Sequence, residues 1–367
     1  MDEKKYYLGF SNFPGIGPIK FGLLLKHFGS AKAAWISSTS ELEQVIGKSL
    51  TAKFIDFRRG FDIEKYEGEL LKKKIDYIVL SDKDYPPLLK QISNPPIVLY
   101  IKGDRSLFHS QILENLRMIA IVGTRRITSY GRSVTDLFSA SLASSGLIII
   151  SGLAIGVDAQ AHTSCLEIGG KTVAVLGNGV DVCYPRENQK IYDQILDGHG
   201  AIISEYPPGE PPSVGSFPAR NRIVAGLSDG VLVTEGASDS GSLITANFGL
   251  EFGRKVFAVP GPITSSLSAA PLRLIEKGAK LVITPGDILR NFQLPISNFQ
   301  SNKNDPMFKN LTKEEKKIIE LIENEPMSFD EIIRHLDLDS SKVGSLLSVM
   351  EIKGLIKNSG GSYSIVS

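Results

Sequence analysis

Glycine, arginine and small hydroxyl residues recur at two places in the sequence where an apolar run ends. Met118–Val122 is followed by Gly123-Thr124-Arg125-Arg126, and a second apolar run at residues 147–150 is followed by Ser151, Gly152 and Gly156. Each run is typical of a buried parallel strand, and each turn leads into a segment with helical spacing. Helix N-termini present unpaired N–H groups that bind anions. The two turns therefore predict a phosphate site at the carboxyl edge of a parallel sheet.

Three later loops carry further polar and aromatic residues and are expected at the same edge. They contain Tyr184 and Asn188, then Phe217, Arg220, Asn221 and Arg222, and finally Ser240, Gly241 and Ser242. We expect Arg125, Arg222 and Arg220 to neutralise phosphates, while N–H groups of the turns at 123–126 and 240–242 complete the pocket. Tyr184 or Phe217 could stack a base, although both are equally compatible with a place in the core.

Short apolar runs alternate with helical or loop segments across the middle of the chain. This alternation predicts an α/β domain with a Rossmann-like parallel sheet, covered by helices on both faces, over residues 75–292. Residues 75–103, which are rich in proline, are interpreted as an extended region that adds strands to this sheet. The dinucleotide fingerprint G-x-G-x-x-G is absent, which disfavours a nicotinamide or flavin enzyme, and no cofactor is predicted.

The segments on either side of this domain are predicted to be helical modules. Residues 1–74 contain the turn Pro14-Gly15-Ile16-Gly17, which resembles a helix-hairpin-helix within a SAM-like module, although a helical bundle without a ligand is the favoured interpretation. Residues 293–310 are interpreted as a linker. Residues 311–367 suggest a winged helix, opened by a capping box of Thr312 and Glu315. Its third helix is poor in cations, so a protein-contact or tethering role is favoured over DNA contact.

Composition narrows the functional classes further. The net charge of +1 excludes a polybasic tail, so that nucleic-acid binding would need a local patch. The polar start of the chain does not match a signal peptide, and no apolar run approaches a membrane span. The two cysteines form no C-x-x-C pair, and the five histidines are scattered. These features predict a cytoplasmic protein with reduced thiols, no metal site and no membrane partner.

Taken together, the motifs resemble the DprA (Smf) family. The resemblance is carried by Val122-Gly-Thr-Arg125, Ser151-Gly152-x-Ala154-x-Gly156-x-Asp158-x-x-x-His162, Tyr184-Pro185-x-x-Asn188, Phe217-x-x-Arg220-Asn221-Arg222, Glu235-x-x-x-x-Ser240-Gly241-Ser242-Leu243-x-Thr245-Ala246 and Val259-Pro260-Gly261. Each motif is weak alone, but their order and spacing together are specific. One departure occurs at residues 268–272, where Ala270 and Leu272 replace a glycine and an asparagine common in the family, and this loop is left out of the predicted site.

The resemblance implies a non-enzymatic protein with an extended Rossmann-like domain, an N-terminal helical module and a C-terminal winged helix. It implies binding of single-stranded DNA, formation of a homodimer, and help in loading RecA on incoming DNA during natural transformation. The arginine of the Gly-[Ser/Thr]-Arg turn, here Arg125, is implied to contribute to the DNA-binding pocket.

An enzymatic alternative is a nucleotide or sugar-phosphate hydrolase, similar to phosphoribohydrolases. In that interpretation Glu235 and the 240–242 turn would act on a nucleoside monophosphate. The flanking nucleic-acid-type modules argue against it, because a small-molecule hydrolase has no use for them. Asp158 and His162 lie four residues apart on a predicted helix, where local hydrogen bonding is favoured over a metal site that would lack a third ligand.

Overall fold

The computed structural model of the protein describes residues 3–109, 117–292, 312–322, 326–336, 338–352, 355–359 and 361–365. The chain divides into two compact units, Met1–Pro295 and Ile296–Ser367. The predicted linker at 293–310 lies outside the described residues. The first unit contains a large sheet, and the second contains a small one.

The large sheet has nine strands, and its central part is parallel. Along the chain the strands are β1 Asp76–Val79, β2 Val98–Gly103, β3 Met118–Val122, β4 Ile148–Ser151, β5 Thr172–Val175, β6 Gly200–Ser204, β7 Gly230–Val233, β8 Lys255–Ala258 and β9 Lys280–Leu281. Their spatial order is β1-β2-β6-β5-β4-β3-β7-β8-β9. All neighbouring strands in the spatial series β6-β5-β4-β3-β7-β8-β9 pair in parallel. The predicted α/β, Rossmann-like fold is therefore confirmed.

Residues 75–103 join the sheet in part as predicted. β1 and β2 pair antiparallel with each other, and β2 pairs antiparallel with β6 at the edge, far from β3. The expectation of an extended run at residues 85–89 is wrong, because Pro87–Lys90 forms a short helix with proline in its first turn. Proline suits that position, where its missing N–H would have had no partner within the helix.

Helices cover both faces of the sheet. In β3, Ile119 and Ile121 belong to one apolar core, while Met118, Ala120 and Val122 belong to another. Alternate side chains of a strand point to opposite faces, so a strand that is apolar throughout must be covered on both sides. The covering helices are Ser129–Ser144, Val157–Glu167, Gln189–Gln194, Ser216–Leu227, Gly241–Glu251, Ala269–Glu276 and Pro285–Asn291.

The N-terminal helices pack directly on the sheet. They span Lys4–Ser11, Pro18–Phe28, Ala31–Ile36, Thr39–Ile46, Lys48–Gly60 and Ile63–Lys72. Their apolar core also contains Val98 and Tyr100 of β2 and Ile202 of β6. The buried Tyr100 hydroxyl lies 2.8 Å from the Ser11 hydroxyl and accepts a bond from the Asn12 amide. The N-terminal helices and this edge of the sheet therefore share one apolar core.

The second unit has the winged-helix elements that the sequence predicts. Its helices are Lys313–Ile322, Phe329–His335 and Ser340–Ile352, and its strands are β10 Met327–Ser328, β11 Ile356–Ser359 and β12 Ser362–Ile365. Thr312 and Glu315 form the expected reciprocal bonds, of 2.8 and 3.2 Å. The three strands form a small sheet in the order β10-β12-β11. No helix in the described parts of the chain is long and apolar enough to cross a membrane.

Candidate functional site

The chain reverses its direction of winding at β3, and a cleft opens there. From β3 the chain adds β4, β5 and β6 on one side, then returns to place β7 on the other side. Ligands of open α/β sheets bind at such a switch point, outside the carboxyl ends of the strands. The cleft has a volume of about 820 Å³ and is lined by residues that follow β3, β4 and β7.

One wall of the cleft combines a cation with two aromatic rings. The exposed guanidinium of Arg125 lies 5.8 Å from the ring centroid of Phe217. Phe217 in turn stacks against Tyr184, with centroids 5.5 Å apart and ring planes inclined by 25°. Tyr184 is 44% exposed, so it is not a core residue. We call Arg125, Phe217 and Tyr184 the aromatic wall; such a surface can stack a base and neutralise a phosphate.

A helix N-terminus faces the same cleft. Gly241–Glu251 begins after Ser240, whose hydroxyl accepts a bond from the Ser242 N–H at 3.3 Å. Asn221 fixes the turn by donating to the Gly241 carbonyl at 3.3 Å. The first N–H groups of this 11-residue helix and its dipole favour an anion. This wall and the aromatic wall therefore present complementary contacts to a phosphate-bearing ligand.

Arg220 forms part of the cleft floor and also joins two strand ends. Its guanidinium donates to the Gly152 carbonyl at 2.7 Å and to the Val175 carbonyl, which lie at the ends of β4 and β5. The buried Asp158 carboxylate accepts the Gly152 N–H at 3.1 Å. Burial lowers the pKa of Arg220 and raises that of Asp158, and each charge counteracts the shift of the other. Much of the hydrogen-bonding capacity of Arg220 is thus used inside the protein.

Arg222 lies outside the cleft. Its guanidinium forms two bonds of 2.6 Å with the Glu205 carboxylate and donates to the Asn94 carbonyl at 3.1 Å. It does not line the cleft, so the structure does not support its predicted role as a phosphate ligand there. Glu205 raises the pKa of Arg222 through hydrogen bonding and charge, against the effect of burial.

Three more predicted residues lie behind the cleft rather than on its surface. The buried Ser151 hydroxyl donates to the Ile121 carbonyl at 2.7 Å, and the Asn188 amide donates to the Leu153 carbonyl at 2.8 Å. Gly156 has φ +86° and lies against the backbone of Thr124 and Arg125, where a side chain would overlap. These residues support the turns and do not line the cleft.

The remaining predicted residues do come together at the cleft. They are Gly123, Thr124, Arg125, Arg126, Gly152, Tyr184, Phe217, Arg220, Asn221, Ser240, Gly241 and Ser242. No carboxylate lies within ion-pairing distance of Arg125 or Arg126 among the described residues. Both guanidinium groups are therefore available to an anionic ligand.

Sequence reasoning missed part of the cleft lining. The additional residues include Ala154, Asp158, Val214, Pro218, Ala237, Asp239, Ile244, Thr245, Ser266 and Leu267. The loop with Ser266 and Leu267 is held by the Gly236 N–H, which donates to the Leu267 carbonyl at 2.6 Å. The sequence signal for that loop was its position after β8, but only the strand order shows that β8 lies beside β7.

The described residues offer no sign of a metal centre. No group of three or more His, Cys, Asp or Glu side chains in the described ranges is arranged to hold a metal ion. Burial lowers the pKa of His162 to about 3, so this histidine is neutral, and its Nδ1 lies 2.7 Å from the Thr172 hydroxyl. As favoured from the sequence, local hydrogen bonding accounts for Asp158 and His162.

The fold and the cleft define a Rossmann-type α/β protein with a cationic, partly aromatic cleft at the switch point and a winged helix in a second unit. A family model described as DNA recombination-mediator protein A matches residues 76–293, and a second, described as the DprA winged helix domain, matches residues 305–362. The chain belongs to the DNA recombination-mediator protein A (DprA/Smf) family.

Individual relatives match over long stretches. Protein Smf of Synechocystis is 35% identical over 98% of each chain, and DNA processing protein DprA of Streptococcus pneumoniae is 42% identical over 64% of this chain and 80% of its own. A crystal structure of Streptococcus pneumoniae DprA aligns with a TM-score of 0.67 at 34% identity, covering 79% of this chain and 98% of that one. DNA processing protein A of Helicobacter pylori aligns with a TM-score of 0.52 at 32% identity, covering 59% and 96%, and its structure was described for a single-stranded DNA binding mode.

Proposed function

We propose that the protein binds single-stranded DNA in the cleft without sequence specificity and acts as a recombination mediator. The observation that carries this proposal is the aromatic wall, where the exposed Arg125 guanidinium lies over Phe217 in the cleft that the helix N-terminus at Gly241 also lines. Phosphate contacts and base stacking tolerate any sequence, as a mediator that handles arbitrary DNA requires. The single-stranded DNA binding mode described for the Helicobacter pylori relative supports the same assignment.

The hydrolase alternative loses its proposed catalytic residue. Glu235 is only 3% exposed and does not line the cleft. Its carboxylate accepts bonds from the Thr128 N–H and hydroxyl, at 3.0 and 2.7 Å. A general acid or base must reach the reacting atoms of a bound substrate, whereas this carboxylate is buried, bonded to Thr128 and absent from the cleft lining. We therefore favour a binding function without catalysis.

A competition experiment tests the binding proposal. A fluorescent oligo-dT is bound to the full-length protein and displaced with unlabelled poly-dT or with duplex DNA of the same length. We expect poly-dT to displace the probe at concentrations at least about tenfold lower than duplex, because only an unpaired strand exposes base faces to the aromatic wall. Equal competition by the duplex would contradict the proposal. Release of free base from nucleoside monophosphates, lost in Glu235→Gln, would instead favour the hydrolase.

The proposed cellular role is to protect incoming DNA and to help load RecA on it during natural transformation. The protein is proposed to act as a homodimer and to contact RecA directly. RecA-catalysed strand exchange on DNA covered by a single-strand-binding protein should be accelerated by this protein, and sedimentation should give twice the chain mass of 39.9 kDa. Unchanged strand exchange would argue against RecA loading, and a monomeric mass would argue against the dimer.

A further inference from the structure

The turn that carries Arg125 and Arg126 is tied at both ends to one residue beside β7. The Thr124 N–H donates to the main-chain oxygen of Glu235 at 2.7 Å. At the other end, the Thr128 N–H and hydroxyl donate to the two oxygens of the Glu235 carboxylate, at 3.0 and 2.7 Å. Both arginines lie between these anchor points, so the bonds to Glu235 restrict how far their backbone can shift.

The carboxylate is closely fitted to this position. A carboxylate can only accept hydrogen bonds, so the Thr128 hydroxyl must donate its proton to Glu235. A lone pair of the same hydroxyl oxygen then accepts the Gly131 N–H at 3.0 Å. That bond caps the helix Ser129–Ser144. Gly131 lies against the carboxylate so closely that an added Cβ would overlap with its oxygen. An amide in place of the carboxylate would lack the charge that strengthens both bonds, and its NH2 group would face either the Thr128 N–H, where two donors would oppose each other, or the Thr128 hydroxyl, which could then no longer donate to residue 235.

The other side of the same turn is also supported. The Thr124 carbonyl accepts the Val157 N–H at 3.1 Å, and Gly156 lies against Arg125. These contacts come from the turn after β4, whereas Glu235 follows β7. The β3 turn is thus held between its two neighbouring strand ends, and the Glu235 carboxylate is a side chain that one of these ends contributes to its bonds.

We infer that Glu235 is a positioning residue for DNA binding, which directs Arg125 and Arg126 into the cleft by fixing both ends of their turn. This inference rests on the proposed function of that cleft. It predicts the opposite of simple electrostatics, because an acid near phosphates repels them and its neutralisation would by itself tighten binding. Weaker binding after neutralisation is therefore the signature of positioning.

The test measures oligo-dT affinity as a function of salt for Glu235→Gln, Arg125→Ala with Arg126→Ala, and the combination of all three changes. We expect Glu235→Gln to weaken binding roughly fivefold to tenfold and to flatten the salt dependence, with a further loss of less than about twofold when both arginines are already absent. Asp239→Asn is the matched charge control. It neutralises an exposed acid on the cleft wall and should tighten binding.

The outcomes separate this inference from the proposed function. Normal or tighter binding by Glu235→Gln, or a full additional loss in the triple variant, would overturn the inference alone, provided that the arginine variant binds weakly. If the arginine variant binds oligo-dT like the unmodified protein, the proposed function fails and the inference fails with it. If Glu235→Gln does not fold, Thr128→Val is measured instead. It removes the hydroxyl donor and the cap and should weaken binding, whereas Thr128→Ser keeps the hydroxyl and should bind like the unmodified protein.

Discussion

Replacing Arg125 with alanine should weaken single-stranded DNA binding without affecting the fold. The guanidinium is exposed, contacts the Phe217 ring and has no ion pair among the described residues, so its loss should change the free energy of unfolding by less than about 0.5 kcal/mol. One charge-assisted contact in an open cleft contributes about 1.5–2 kcal/mol to binding. Since 1.4 kcal/mol corresponds to a factor of ten, the expected loss is roughly 10- to 30-fold.

Salt dependence provides the sharper measurement. Each phosphate contact to a single strand contributes about 0.7 to the slope of log affinity against log salt, so Arg125→Ala should flatten the slope by about that amount. Arg125→Lys keeps the charge but not the planar group over Phe217, and should retain the slope with an intermediate affinity. Fluorescence anisotropy of a labelled oligo-dT between about 50 and 300 mM salt covers the informative range.

Arg132→Ala is the matched control for loss of positive charge. Arg132 is exposed on the helix that follows the same turn, and its guanidinium donates to the Gln160 side chain at 2.7 Å, outside the cleft lining. Its removal should leave the slope unchanged within error. An unaltered slope for Arg125→Ala, or an equal flattening for both variants, would refute the assignment of Arg125 to a specific phosphate contact.

Three further predictions concern stability. Gly131→Ala should destabilise the fold by about 1–3 kcal/mol in urea unfolding, because its methyl group would overlap with the Glu235 carboxylate; an unchanged midpoint would contradict the tight fit. The pKa of His162 is lowered from 6.5 to about 3, so the unfolded chain binds the extra proton as pH falls below 6.5, and stability should drop by about 2 kcal/mol between pH 7 and pH 5. His162→Gln should reduce that drop, and equal pH profiles of the variant and the unmodified protein would show that His162 does not cause it. A chain that begins at residue 75 would expose Tyr100, so it should melt at a lower temperature than the full chain while keeping the salt slope of DNA binding; an unchanged melting temperature would show that the shared core contributes little.

Features fixed by local chemistry were predictable from the sequence. β3 spans Met118–Val122, as its apolar run indicates, because a central strand buried on both faces must be apolar throughout. The capping box of Thr312 and Glu315 forms where its spacing places it. The turns after β3 and β7 meet at one edge because parallel strands end at the same side of a sheet.

Features fixed by distant contacts were not predictable. Arg220 and Arg222 are two residues apart on one helix, so they project in different directions, and the sequence does not show which faces the cleft. Arg220 turns toward the ends of β4 and β5, whereas Arg222 turns toward Glu205. Asn188 was expected to bind a ligand, but its side-chain amide donates to the carbonyl of Leu153. Leu153 has a φ of 57°, a positive value that is uncommon for leucine. A sequence pattern shows which groups are polar but not which protein atoms satisfy them.

The antiparallel pairing of β2 with β6 determines how late in translation this edge of the sheet can form. Tyr100 of β2 pairs with Ser204 of β6, about 100 residues later, and the N-terminal helices share their apolar core with both strands. At ribosomal rates of about 5–20 residues per second, β2 waits roughly 5–20 s for its partner. During that interval the nascent helices and β2 expose apolar surface that later residues cover, among them Leu153, Ala174 of β5 and Ile202 of β6. The protein should therefore depend on holding chaperones early in translation and lose that dependence once residue 204 has left the ribosome.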